Sequence, residues 1–375
     1  MKNFIPVNEP LLDGNEKQYL TECIDSGWIS SEGPFVEQFE ALMAKLAKKR
    51  YGIAVCNGSA ALEAAVAALN IGPGDEVIMP AFTIISCANA IIRAGAKPIL
   101  VDSDPLTWNM AIDQVATKIT SATKAIMAVH IYGFPTDMQP LMTLCKKHGL
   151  ALIEDAAEAI GQAYKGTPCG NFGDLSVFSF YPNKHVTTGE GGMILTDDKQ
   201  LAEKCRSLRN LCFNNEKRFV HEEMGWNMRM TNMQAALGVA QVERLKSTII
   251  KKRGIGSFYN QYLKDGKGIQ RPLIKNDYAD NLFWVYGLVL EDEMPLSPHD
   301  ISNIMHKKGI GTRPFFWPMH KQPVFNKMGL FLHDHHPVAV KLGQRGFYLP
   351  SGLTLTEDQI EYISNTLKEI LHNHI

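Results

Sequence analysis

No two cysteines in this 375-residue chain fall into a C-x-x-C spacing. The seven that are present stand singly between Cys23 and Cys212, an odd, unpatterned set that reads as reduced, buried thiols. No apolar run approaches the roughly 20 residues a membrane-spanning helix needs, and the stretch Met1-Lys2-Asn3-Phe4-Ile5-Pro6 lacks the apolar core of a secretory signal. Charge of one sign is missing too. With 39 acidic and 38 basic side chains the formal net charge is -1, so nothing draws the whole chain toward nucleic acid or an anionic membrane. Internal repeats, low-complexity tracts and Pro/Gly/Ser-rich linkers are absent. These absences leave a cytoplasmic globular protein, long enough for two domains, with no nucleic-acid and no membrane partner.

What is present is alternation. Short apolar runs recur at 75–80, 98–101, 125–130, 151–154, 175–180 and 193–195, the first introduced by the turn residues Gly72-Pro73-Gly74. Helical spacing or composition lies between many of them, as at 60–69 and 138–148. This order predicts an α/β domain on a largely parallel sheet with helices on both faces. In such a sheet, ligands gather at the carboxyl ends of the strands. After Arg244 the pattern changes to a long helix rich in Lys and aromatic residues at 246–265, a strand at 283–290, a helix near 298–308, an aromatic-rich segment and a last helix near 356–371. We expect a large domain over 1–245 and a smaller carboxyl-terminal α/β domain over 246–375, with the long helix as the bridge.

Three stretches carry chemistry. Asn57-Gly58-Ser59-Ala60-Ala61-Leu62 opens an Ala-rich helix directly after an apolar run. Small residues admit a ligand to the backbone, and free N–H groups at a helix start attract phosphate; taken alone, the stretch is equally an ordinary helix cap. Leu152-Ile153-Glu154-Asp155-Ala156-Ala157-Glu158 puts acids at the end of a strand, where a carboxylate can keep a ring nitrogen protonated or simply cap the next helix. In Phe178-Ser179-Phe180-Tyr181-Pro182-Asn183-Lys184-His185-Val186-Thr187-Thr188-Gly189-Glu190-Gly191-Gly192 a lysine leaves an apolar strand and meets a Gly-rich turn. A lysine in a low-dielectric pocket loses its proton readily and can form a Schiff base, whereas a lysine in an open turn is only solvated. Three other candidates read as packing or surface. His333-Asp334-His335-His336 lacks convergent partners for a metal, Phe315-Phe316-Trp317 suits a hydrophobic wall, and Lys251-Lys252-Arg253 suits a solvated helix face.

In combination and in this order, the three stretches resemble the sugar-nucleotide aminotransferases of the aspartate-aminotransferase fold. The likeness continues through His130-Ile131-Tyr132-Gly133, Trp226-Asn227-Met228-Arg229-Met230-Thr231-Asn232 and Thr312-Arg313-Pro314-Phe315-Phe316. It implies the type I fold of pyridoxal-phosphate enzymes, a large domain with a mostly parallel, seven-stranded mixed sheet flanked by helices plus the smaller domain. It also implies that Lys184 binds pyridoxal 5'-phosphate covalently and shuttles protons, and that Asp155 pairs with the pyridinium nitrogen. Glu158 matches a contact to the cofactor's phenolic oxygen, often Gln in relatives. Gly58, Ser59, Ala60 and Ser179 match the phosphate cradle. Asn227 matches a phosphate contact from a neighbouring subunit, which implies a homodimer with shared active sites. Trp28, Arg313 and His320 match positions lining the nucleotide-sugar pocket, and no metal is implied. Phrases such as Ile24-Asp25-Ser26-Gly27-Trp28 and Arg313-Pro314-Phe315-Phe316 sit nearest the subgroup that aminates C4 of GDP-4-keto-6-deoxymannose, with glutamate as amino donor. Relatives acting on UDP- or dTDP-4-keto-6-deoxy sugars share much of these phrases, so that substrate class stays open beside it, as does a non-catalytic regulatory protein on the same fold. Two positions depart from the pattern. Ile84 stands where many relatives place an aromatic near the cofactor ring, and His185 follows the lysine.

Overall fold

The computed structural model describes residues 4–214 and 216–374; Met1 to Asn3, part of the stretch examined for a secretory signal, lie outside them. Strands β1 (Tyr51–Val55), β2 (Glu76–Pro80), β3 (Lys97–Val101), β4 (Thr123–Val129) and β5 (Ala151–Asp155) come first, then a small hairpin of β6 (Ala163–Tyr164) and β7 (Thr167–Pro168). Strands β8 (Leu175–Ser179) and β9 (Gly192–Thr196) follow. Seven of them form one sheet in the order β1-β9-β8-β5-β4-β2-β3. Only β9 runs against its neighbours β1 and β8, so six strands share a direction. The strands are buried along nearly their whole length, as expected of a sheet covered by helices on both faces. The apolar runs of the sequence fall within two residues of the strands they predict.

Parallel strands need crossovers, and the sequence supplies helices for them. The helix Gly58–Ala68 is capped by Asn57, whose side chain accepts the Ala60 N–H at 2.8 Å. Its Ala-rich turns allow close packing on the sheet, so Ala61, Ala64, Ala65 and Val66 are all buried. Asp198 caps the helix Lys199–Arg209 in the same manner, accepting from Gln200 and Leu201. A fully buried Leu, Ile, Val or Phe in these layers contributes roughly 1.5–3 kcal/mol.

A second, antiparallel sheet has the order β10 (Ile269–Gln270), β11 (Tyr286–Leu290), β13 (Gly346–Leu349), β12 (Arg313–Pro314). Its core, with Tyr259, Tyr286, Ile301, Phe347, Ile363 and Leu367, is separate from the cores around the larger sheet. Arg244 closes the helix Asn232–Glu243 and opens the long helix Leu245–Tyr262 that reaches this core. Ile5, from the start of the chain, packs into it as well, and the Ile5 backbone bonds to Gly309 and Gly311. Among the described residues, no helix is long and apolar enough to cross a membrane.

Candidate active site

The carboxyl ends of β1, β2, β4, β5 and β8 open onto a cavity of about 500 Å³, lined by Gly58, Ser59, Thr83, Asp155, Glu158, Ser179 and Lys184 among others. The second sheet closes the opposite side with Trp284, Phe316 and Tyr348. At the floor, the backbone of Gly58 lies against Ser179; a Cβ built on Gly58 would meet the Ser179 Cβ at 2.8 Å. Glycine is required for that approach. Among the described residues, the Gly58 and Ser59 N–H groups have no acceptor. They sit at the start of a helix, where backbone donors and the helix dipole favour an anion. The Ser59 hydroxyl shares a 2.7 Å hydrogen bond with Ser86.

Asp155 ends β5 and is 3 % exposed. Its Oδ1 accepts the Ala157 N–H at 3.1 Å and its Oδ2 accepts the Cys87 thiol at 3.3 Å. Burial pushes this carboxyl up, while the Ala157 amide, the Cys87 thiol and the nearby Lys184 pull it back. A cationic ring nitrogen would satisfy the charge more completely than a thiol does. Glu154, one residue earlier, points to the other face, because strand side chains alternate. There it accepts from His130 Nε2 and the amides of Gly170, Phe172 and Gly173, and from the Ser176 hydroxyl. Because His130 Nδ1 accepts the Thr136 N–H at 3.0 Å, the ring carries its proton on Nε2, toward Glu154. These bonds occupy the lone pairs that His130 and Glu154, which lie in one buried group with Cys169, could offer a cation.

Lys184 stands on the loop between β8 and β9. The Lys184 N–H donates to Tyr181 O, the Thr188 N–H to Phe180 O and the Phe180 N–H to Gly191 O, which folds the loop back on itself. Gly189 takes a positive φ of 79° in this turn, a conformation that costs glycine little. The Lys184 side chain is 11 % exposed, and its Nζ lies 3.5 Å from Glu158 Oε1. Burial lowers the amine below the ordinary lysine range, and Glu158 and Asp155 offset part of that. Burial also pushes the Glu158 carboxyl up to about 7, against the pull of Lys184 and of the Tyr132 N–H, which donates to Oε2 at 2.8 Å. Tyr132 holds that amide in place with a left-handed φ of 54°.

The sequence-predicted residues separate into two groups. Gly58, Ser59, Asp155, Glu158, Ser179 and Lys184 meet in the cavity. Ala60 does not line it, and its N–H is spent on the Asn57 cap. Asn227 is exposed, away from this chain's cavity, in a bridge with Asn210. Trp28, 49 % exposed, lies among Ser31, Pro34 and Glu37 on another surface. Arg313 is exposed at the edge of the second sheet, paired in register with Tyr348, whose hydroxyl it influences electrostatically. His320 does not line the cavity; it is 3 % exposed and packs edge-on against His336, and among the described residues its two ring nitrogens have no partner.

His185 also points away from the cavity: Nδ1 donates to Ile160 O at 3.0 Å, and burial holds the ring neutral. Ile84 does line the cavity, and sequence reasoning missed the aromatic that faces the lysine, Trp284, whose ring centroid is 3.9 Å from Lys184 Nζ. It missed Cys87 and Tyr348 as well. No local motif announces them; a Trp between Phe283 and the apolar run of β11 reads as core.

A phosphate-bearing aromatic aldehyde fits this arrangement. The unpaired amides could take its phosphate, the buried acid its ring nitrogen, and the buried amine its carbonyl. A model of the DegT/DnrJ/EryC1/StrS aminotransferase family matches residues 10–368. The GDP-perosamine synthase of Escherichia coli O157:H7 is 41% identical over 98% of this chain and 98% of its own length. That of Vibrio cholerae is 40% identical over 97% of this chain and 98% of its own. The structure superposes on the PLP form of a putative sugar aminotransferase, Spr1654 of Streptococcus pneumoniae, with a TM-score of 0.92 at 25% identity, covering 99% of this chain and 100% of that one.

Proposed function

The chain belongs to the DegT/DnrJ/EryC1/StrS aminotransferase family of pyridoxal-phosphate enzymes with the type I fold, and from that premise we propose its substrates. It is a sugar aminotransferase that moves an amino group from glutamate to C4 of a nucleotide-linked 4-keto-6-deoxyhexose. The acceptor is GDP-4-keto-6-deoxymannose, the product GDP-perosamine, and the setting is cytoplasmic supply of a surface polysaccharide such as O-antigen. End-to-end similarity to GDP-perosamine synthases carries the choice of sugar.

When bound, pyridoxal phosphate supplies an aldehyde for amines and a ring that draws electrons from the carbon losing its proton. The chain's own residues do the rest. The Gly58 and Ser59 amides and the Ser179 hydroxyl hold the phosphate. Asp155 holds a proton on the ring nitrogen. Lys184 Nζ, once free, would carry a proton between the substrate carbon and C4′ of the cofactor, acid–base work worth roughly 10²–10⁴-fold. Glu158, with a carboxyl pushed up to about 7, keeps its proton in neutral solution often enough to share it with the phenolic oxygen. Trp284, Tyr132 and Phe316 exclude water from the amine.

The active unit is a homodimer in which each Asn227 reaches its neighbour's phosphate. Its exposure, and the exposed Phe219, Val220, Met224 and Trp226 around it, support that reading. Arg313 faces the substrate diphosphate beside Tyr348. The large domain ends near 245, with the first residues of the chain joining the smaller one. Separate incubations with glutamate and the GDP-, UDP- and dTDP-linked 4-keto-6-deoxy sugars, followed by product mass, test the proposal. Amination of the GDP-mannose-derived ketone is expected. Preference for UDP or dTDP would overturn the nucleotide, and no aminated sugar at all would overturn the reaction.

A further inference from the structure

We propose that Trp284 is a catalytic residue: its indole face stabilises the protonated form of Lys184, so that the second sheet sets the charge of the amine carried by the first. The inference rests on Lys184 being the reactive amine.

Trp284 is 3 % exposed, and its ring centroid lies 3.9 Å from Lys184 Nζ, well inside the range of cation–π attraction. It is held from several sides. Its Nε1 donates to Asn183 O at 2.7 Å, beside the lysine itself. Its carbonyl accepts from Lys252 Nζ at 2.7 Å. Tyr132 stacks on its ring at 5.8 Å with an interplanar angle of 28°, and Gly133 lies so close that a Cβ there would meet Trp284 N at 2.7 Å. A ring fixed in this way loses little conformational freedom when the lysine approaches it.

The charged form of Lys184 needs such support. Burial disfavours it. Of the titratable groups around it, Asp155 ends β5 and Glu158 follows it, Tyr348 is on β13, Tyr181 and Glu190 flank it on its own loop, and Tyr132 stacks on Trp284; His185 and the buried Lys252 lie behind. Tyr132, Tyr348 and His185 are held neutral by burial. Glu158, with its carboxyl near 7, is only a part-time anion at neutral pH. An indole face is attractive to the ammonium at every pH. A lysine that must accept a proton and return it gains from a partner that favours the charged state without being able to take the proton.

The test uses the full chain cleared of cofactor. Pyridoxal phosphate is added across a pH series, and the initial rate of colour formation is read, since only the neutral amine condenses with the aldehyde. The midpoint of that profile reports Lys184. Replacing Trp284 by Phe keeps a π face and should lower the midpoint by a few tenths of a unit. Trp284→Met should lower it by about one unit. Because either variant could fold poorly, the wild-type sequence is also produced with tetrafluorotryptophan, which empties the ring face of negative charge at nearly constant shape; its midpoint should fall by about half a unit. Unchanged midpoints in the fluorinated protein and in the folded variants would overturn the role of Trp284. Absence of colour in the wild-type protein would instead overturn the cofactor site.

Discussion

Lys184 and Lys252 both carry an amine into the interior, and burial lowers both, Lys252 to about 7. Around Lys184 stand Glu158, Asp155, an indole face and an open cavity. Around Lys252 stand two carbonyls, of Trp284 at 2.7 Å and Ser351 at 2.6 Å, and it does not line the cavity that Lys184 lines. The same contrast appears between Glu154 and Asp155. One is tied up by its hydrogen bonds; the other faces the cavity with a thiol as its weakest partner. Burial perturbs all four groups. What distinguishes a site is an unspent valence beside a space that a ligand can enter.

The contrast breaks most visibly at Lys184. Lys184→Ala should abolish the visible colour of the cofactor and lower turnover by about 10⁴-fold or more, measured by absorbance and by amino transfer from glutamate. Asp155→Ala should keep the colour but lose roughly 10²–10³-fold in turnover, the scale of removing one preorganised electrostatic partner. An activity within a few-fold of wild type would show that the acid only holds its own turn, through the Ala157 amide.

Lys252→Met should keep the colour and cost about 2 kcal/mol in denaturant unfolding at neutral pH, because two buried carbonyls lose their donor. It also sharpens the comparison through pH. Between about 7 and 10.5 the unfolded chain holds a proton that folded Lys252 has released. Stability therefore rises with pH across that window, by up to about 1.4 kcal/mol per unit from this group, and the Met variant should show a flatter profile. An unaltered slope would place the ionisation elsewhere.

Glu158→Gln should have the smallest effect, a change in turnover below about 10-fold, because an amide can donate the same hydrogen bond. Glu158 contributes stability that is fully present below 4.5 and lost as the pH rises through about 7. The Gln variant should lose that step in cofactor-free protein, and a step retained near 7 would assign it to another group.

The parts of the site read from sequence were those whose chemistry is local. Asn57 to Ser59, Asp155 to Glu158 and Ser179 to Lys184 each occupy one strand end and its turn, so contiguous motifs carry the resemblance that names them. The crossover helices and strands were legible for the same reason, since apolar periodicity and turn residues are properties of short windows. Trp284 was not legible, because it arrives from a distant segment through the packing of two sheets. Cys87 sits within a helix as any small core residue would, and only its 3.3 Å contact to Asp155 distinguishes it. His320 comes from the resemblance alone, and in the structure its ring lies against His336; a motif fixes chain position but not the face a side chain takes. Ala60 shows the same limit, since its amide closes the helix cap.

The most direct measurement is to reduce the protein with borohydride after adding pyridoxal phosphate, digest it and weigh the peptides. The account predicts the cofactor's mass on Lys184 alone. A tag on Lys252 or another lysine, or an untagged Lys184 peptide from protein that binds the cofactor tightly, would contradict it.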